Sequence, residues 1–299
     1  MPASLDGEED LQEQLALLQE FLVMLDQMPP NQQLNAASGS VQYAGVYVFK
    51  TETMYVVNYD SDLSAEVREV LAHEYTHALQ DQHFDLESLT SKGAGNSDTL
   101  LAVQALMEGD ATLLMLQYAN PGQSKAMLRA LGKQRFDSAL LQMERAKVPR
   151  LLREDYMFPY KYGLSFVSSF STWEEVNNIY SSPPQSTEQI MHPEKYLYPS
   201  LYDAPQTIGE FATLGTALGG TWRKMLEDTL GEFGTSVYLG YISLGRSRKQ
   251  GCCRLGWGPH RILEGCRRQE THGHVINLGY HQGHPGVLRR LRKLHKRQD

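Results

Sequence analysis

The run His73-Glu74-Tyr75-Thr76-His77 sets two imidazoles four residues apart with a carboxylate between them. On a helix, positions four apart lie about 40° from each other around the axis and one turn apart along it. His73 and His77 can then hold one metal ion, with Glu74 beside them to polarise a water on that ion. Imidazole nitrogen suits Zn²⁺, and the carboxylate of such a site acts as general base, not as ligand. His83 follows His77 by six residues. That is roughly 240° around a helix, so it should face elsewhere.

A catalytic zinc takes three protein ligands and keeps one position open. The best third ligand is Glu108, in Ala105-Leu106-Met107-Glu108-Gly109-Asp110-Ala111. It lies on a helix-patterned segment from about 98 to 118, where Leu101, Ala105, Leu113 and Leu116 form an apolar stripe. Gly109 is out of place there, since a mid-helix glycine costs about 1 kcal/mol relative to alanine. Close approach of this helix to the metal helix would account for it. Asp110 or Asp85 would accept the remaining N–H of a ligand imidazole, and spacing does not choose between them. Hydrolysis at such a site also needs a donor for the developing oxyanion. Tyr160, Tyr162 and His192 are the candidates. Against them stand core packing for the tyrosines and a helix-dipole contact for His192.

The elements that must position these groups are also legible. Residues 62–82 read as one helix, with Ser64 as N-cap and Glu66 in the first turn. Val67, Leu71, Ala78 and Leu79 are its expected packing positions. Upstream, Val41–Phe49 and Met54–Tyr59 read as two strands around a turn near Thr51 and Glu52. An edge strand beside a hydrolytic site can pair with an extended substrate backbone. Further helical segments are expected over 123–147, 163–180, 186–192 and 221–245, the last with breaks. Tyr160 and Tyr162 would lead into the helix opening at Gly163. Ser171 with Glu174, and Ser186 with Gln189, read as capping boxes. Pro193 would close the second, leaving His192 in its last turn. The fold class expected is α+β and mostly helical, with a small strand pair preceding the metal-binding helix.

The stretch from His73 through Gln80-Asp81-Gln82-His83-Phe84-Asp85-Leu86, followed by Glu108-Gly109-Asp110-Ala111-Thr112, resembles an uncharacterised group of bacterial proteins regarded as zinc metallopeptidases of the gluzincin type. Phe158-Pro159-Tyr160-Lys161-Tyr162-Gly163 and the run from Pro183 through Ser186-Thr187-Glu188-Gln189 to Tyr196 match as well. The resemblance covers roughly residues 40–245. It implies a zincin-like fold, Zn²⁺ held by His73, His77 and Glu108, and hydrolysis of a peptide or protein substrate. The alternative is a catalytically inactive zincin-like binding protein, or a truncated or frameshifted non-functional product.

Composition bounds the rest. The chain of 299 residues is 41% hydrophobic, and no apolar run approaches the roughly 20 residues of a membrane span. Its start is acidic and lacks the basic-then-apolar order of a signal peptide. Localisation therefore stays open, since proteins of the resembled group are often exported. Leu11 to Met28 has helical periodicity and stops at Pro29-Pro30, giving a lead-in over 1–40 before the main domain at 41–245. Oligomeric state leaves no signature.

The chain changes character after Gly245. Of its 28 Lys+Arg and 35 Asp+Glu, 13 and 3 lie in 246–299, which leaves a net charge of −17 in the first 245 residues. All three cysteines (Cys252, Cys253, Cys266) fall there too, without the spacing of a zinc module. A basic arm for nucleic acid or acidic lipid is one reading of this tail, but the acidic body should repel polyanions, and no nucleic-acid partner is expected. No strand or helix period shows before Val287–His295. Gly256-Trp257-Gly258 looks like a fragment of a longer Gly-Trp-Gly-Gly-Asp-Arg stretch expected from the resemblance. We read the tail as an out-of-frame translation. Translating the coding DNA in all frames checks this: another frame should continue the broken pattern, and its absence would rule the reading out.

Overall fold

The computed structural model describes residues 15–23, 27–29, 44–57, 62–202, 205, 223–226, 228–244 and 278–280. Strands β1 (Gly45–Val48) and β2 (Thr53–Val56) pair antiparallel, Gly45 opposite Val56 and Val48 opposite Thr53. A 3₁₀ turn over Phe49–Thr51 and a left-handed Glu52 (φ 49°) close the hairpin. Both strands are shorter than expected, and residues 41–43 and 58–59 of the expected spans lie outside the described ones. Val57 N–H donates to the Ala44 carbonyl (2.8 Å). By the alternation of an antiparallel ladder, Val46 and Val48 then turn their backbone toward β2, and Gly45 and Tyr47 turn theirs outward.

Of the N-terminal lead-in, residues 15–23 are helical (α1). Leu22 of this helix and Met28 just beyond it are buried in the core. Helix α2 (Ala65–Phe84) carries the histidine pair. Ser64 caps it by accepting from Val67 N–H (3.3 Å), and it stops at a left-handed Asp85 (φ 53°). Its fully buried residues are Glu74, Thr76, His77 and Gln80, all polar. The expected packing positions Val67, Leu71, Ala78 and Leu79 are only partly covered. Here the structure corrects the sequence reading: the face of α2 that is fully buried is its polar one.

After the short α3 (Leu86–Ser91), α4 (Ser97–Ala119) forms the spine of the core, capped by Asn96, whose side chain accepts from Thr99 N–H (3.1 Å). It is long and apolar enough to cross a membrane. In this fold, however, most of it is buried in protein, and it carries buried Asp98 and Asp110. Helix α5 (Lys125–Arg145) is capped by Ser124. Helix α6 spans Arg150–Val167, so Tyr160 and Tyr162 lie well inside a helix, not ahead of one. Pro159 removes one helical N–H donor, yet the helix runs through it. The segment expected as one helix over 163–180 is thus the end of α6 and a separate α7 (Trp173–Ile179). The capping box of α7 is Thr172 with Glu175, one residue beyond the expected pair.

Gly109 has its reason in this packing, and it differs from the one expected. It faces Gly163 of α6, not the metal helix: a Cβ at Gly109 would run into the Gly163 carbonyl, and one at Gly163 into the Ala105 carbonyl oxygen. The α4 and α6 backbones touch directly.

Ser186 caps α8 (Thr187–Met191) by accepting from Gln189 N–H (3.4 Å), but Gln189 returns its bond to Gln185 N–H (2.8 Å), which leaves half a capping box. Pro193 does not end the chain's helical course; it opens α9 (Pro193–Leu197), and His192 is the joint between the two helices. Buried Asp98 accepts from Thr187 N–H (3.0 Å) and from its hydroxyl. That hydroxyl in turn accepts from Phe233 N–H (3.2 Å) of α10 (Gly231–Leu244). Gly231, at φ 63°, lies so close to Asp98 that any side chain there would strike the carboxylate.

The chain divides into two compact units, residues 1–205 with 230–249 and residues 206–229 with 250–299. The second is described through β3 (Arg223–Leu226) and β4 (Leu278–Tyr280), an antiparallel pair with a register irregularity between Lys224 and Leu226. The helix expected over 221–245 therefore begins only at Gly231, and a strand appears at 278–280 where none was expected. The other residues of the tail, Cys252, Cys253, Cys266 and Val287–His295 among them, lie outside the described ones.

Gly163→Ala should cost about 1–3 kcal/mol through overpacking at a backbone contact. Urea unfolding measures it; a variant as stable as the parent would mean that the α4–α6 contact does not constrain the fold.

Candidate metal centre

Helix α2 brings His73 and His77 to one face, and α4 presents Glu108 to them. His73 Nε2 lies 3.0 Å from Glu108 Oε2 and 3.1 Å from His77 Nε2, and the third side of the triangle, His77 Nε2 to Glu108 Oε2, is 3.4 Å. Zinc bonds of about 2.0–2.1 Å at tetrahedral angles set donor atoms roughly 3.3 Å apart. The three donors match that spacing, and two imidazoles with one carboxylate are a zinc-type donor set. This is the cluster that could hold a metal ion among the described residues.

The electrostatics are those of a charge-paired cluster. Burial pushes the His77 imidazole down, but the Glu108 carboxylate, reinforced by Gln80 and Glu74, outweighs it and leaves the pKa above the ordinary value. For Glu108 burial works upward, and the two histidines overcome it and hold the carboxyl below the usual carboxylate range. A cation at the centre of the triangle would displace protons from its ligands.

Glu74 is buried beside the pair. Its carboxylate accepts from the Tyr47 backbone N–H of β1, and its pKa is raised, first by burial, against the opposing pull of His73 and His77. Gly45 makes room for it. A Cβ there would come within 2.8 Å of Glu74 Cγ and 2.6 Å of Val70 Cγ1. Tyr47 ties the same strand to α2 a second time, its hydroxyl donating to Asp81 (3.0 Å).

Of the three oxyanion candidates, the structure brings one to the cluster. The Tyr160 ring stacks on His73, centroids 6.2 Å apart at 29°. Tyr162 lies about 200° further around α6, against Phe158 and Phe233. His192 pairs with Glu232 (3.0 Å) and lies 3.9 Å from Glu194. His83 is exposed and packs on Phe84, away from the ligand pair, as its spacing implied.

Of the two candidate acceptors, Asp85 caps α3 by accepting from Ser88 N–H (3.0 Å). Asp110 is near His77 but reaches it through Gln80: His77 Nδ1 lies 2.9 Å from Gln80 Oε1, and Gln80 Nε2 donates to Asp110 (2.7 Å). Tyr180 O–H donates to the same Asp110 oxygen (2.8 Å). Sequence reading missed Gln80 and Tyr180. For Gln80 a signal existed, since it sits three residues beyond His77 and so on the same helix face; for Tyr180 there was none. His73 Nδ1 is buried with no hydrogen-bond partner among the described residues, so the two imidazoles are held differently.

Comparison of the chain with models of known protein families, with curated proteins and with solved structures found no match. A functional reading therefore rests on the residues and their geometry.

Elemental analysis of the purified protein should find about one zinc per chain, as one three-ligand site requires, and a clear loss of it in His77→Ala. A well-folded wild type that takes up no zinc would remove the metal centre.

Proposed function

We propose that the chain is a zinc-dependent peptide hydrolase with a zincin-like fold of gluzincin type. In this reading His73, His77 and Glu108 hold Zn²⁺ and Glu74 is the general base. The observation that carries it is the buried Glu74 carboxylate, held by Tyr47 N–H next to three donors with zinc spacing. When bound, zinc supplies Lewis acidity, which brings the pKa of water toward about 7 and polarises a carbonyl.

The chain's own residues do the rest. Glu74 takes the proton of the attacking water and passes it to the leaving amine. Burial raises its proton affinity, which suits a group that must both accept and return a proton near neutrality. Tyr160, stacked on His73, donates a hydrogen bond to the oxygen on which negative charge develops. The outward N–H of Tyr47 on the β1 edge is committed to Glu74, so an extended peptide that adds there as a further strand pairs through the remaining outward groups of Gly45 and Tyr47.

Zinc content and turnover of a peptide library, measured together, test this. Glu74→Gln should keep its zinc and lose about 10²–10⁴-fold in turnover. Tyr160→Phe should lower kcat by about 10²–10³-fold, with Tyr162→Phe and His192→Ala close to wild type. Full activity in Glu74→Gln would remove the general-base assignment. Zinc-loaded wild type that cleaves no peptide would remove the reading as a whole.

A further inference from the structure

We infer that Gln80, locked by Met107 and Asp110, is a positioning residue that dictates which nitrogen of His77 faces the metal centre. The inference rests on the metal-centre reading. Gln80 is 3% exposed, and His77, Asp110 and Tyr180 are buried around it, so its amide is satisfied by protein. Gln80 Nε2 has two neighbours, the Met107 carbonyl oxygen at 3.1 Å and Asp110 Oδ2 at 2.7 Å. A backbone carbonyl can only accept. The end of the amide that faces it must therefore be the NH₂; the flipped amide would set two oxygens against each other at 3.1 Å. That fixes Oε1 as the atom facing His77 Nδ1 at 2.9 Å.

An amide oxygen also only accepts, so His77 Nδ1 must carry a proton. The other ring nitrogen, Nε2, is the one that lies 3.1 Å from His73 Nε2 and 3.4 Å from Glu108 Oε2. Gln80 thus hands the centre an Nε2 whose lone pair is free to bind once its proton is displaced. Metal-bound histidines commonly use a carboxylate for this purpose. Here a neutral amide stands between the imidazole and Asp110, which keeps a further negative charge out of direct contact with a ring already beside Glu74 and Glu108. Tyr180 O–H supports the chain from its far end by donating to Asp110 (2.8 Å). Because Met107 and Asp110 flank Glu108 on α4, the same bonds set the reach between His77 and the third ligand.

The test combines zinc affinity, from competition with a chelator, with nitrogen-15 NMR of the His77 ring. In the full-length protein, His77 should show a protonated Nδ1 both before and after zinc loading, with zinc on Nε2. Gln80→Leu should weaken zinc binding about 10–100-fold and expose the ring to either tautomer. Tyr180→Phe should weaken it several-fold. A wild type that binds zinc, with Gln80→Leu binding equally well, would overturn the role of Gln80 and leave the proposed hydrolase standing. A wild type that binds no zinc would defeat the proposed function; the zinc-free spectrum then decides the role of Gln80, and an unprotonated Nδ1 overturns it. If Gln80→Leu does not fold, the same role is decided by the wild-type spectrum together with the zinc affinity of Tyr180→Phe.

Discussion

A helix whose fully buried side chains are Glu74, Thr76, His77 and Gln80 cannot be held on that face by the hydrophobic effect. A buried polar group without a partner costs about 1–3 kcal/mol, and an unpaired charge more. The partners come from other elements: Tyr47 N–H of β1 for Glu74, Glu108 of α4 for the histidines, and Met107 and Asp110 of α4 for Gln80. Thr76 is satisfied within the helix by the Ala72 carbonyl (2.7 Å), and His77 Nδ1 and Gln80 Oε1 pair within it as well (2.9 Å). The bonds that dock α2 are therefore the bonds that shape the candidate centre, and α2 cannot shift without disturbing both.

The other half of the centre depends on α4, whose position is set by the Gly109–Gly163 contact with α6. Glu108 precedes Gly109, and Tyr160 lies one helical turn before Gly163, so a single backbone contact sets the distance between the third ligand and the aromatic ring beside His73. A larger residue at either glycine would push the two helices apart. The cost of a mid-helix glycine, about 1 kcal/mol, is set against this approach. Below the centre, Asp98 ties the first turn of α4 to α8 and α10 through Thr187, which fixes the helix at its other end.

What could be read from sequence was local. The histidine pair, the cap Ser64 and the hairpin all follow from spacing over a few residues, and the structure has them. Glu108 was legible only as the best-placed carboxylate on a helix-patterned segment, and its arrival at the pair is a tertiary fact. The partner of Gly109 was misassigned because a glycine signals close approach without saying to what. Helix α6 was expected to open only at Gly163, whereas it begins at Arg150 and packing against α4 and α5 carries it through Pro159. The route from His77 to Asp110 was missed since it needs an intermediary, Gln80, whose side chain has no intrinsic reason to be buried.

The same polar face separates a metal-holding site from a catalytic one. A structural zinc site closes with four protein ligands, whereas the cluster has three among the described residues, and the carboxylate of Glu74 beside them is turned to the β1 backbone. Burying that carboxylate raises its pKa, a cost to stability that a site meant only to bind metal would avoid with a neutral residue. Gly45 gives up a side chain to make the room. The fold thus accepts a strained electrostatic arrangement at Glu74 and compensates it with a hydrogen bond from the edge of a strand. Local arrangements that cost stability and are supported from several elements at once are characteristic of sites that act on a substrate, and this is the physical ground on which the proposed hydrolase is preferred to an inert zinc-binding protein.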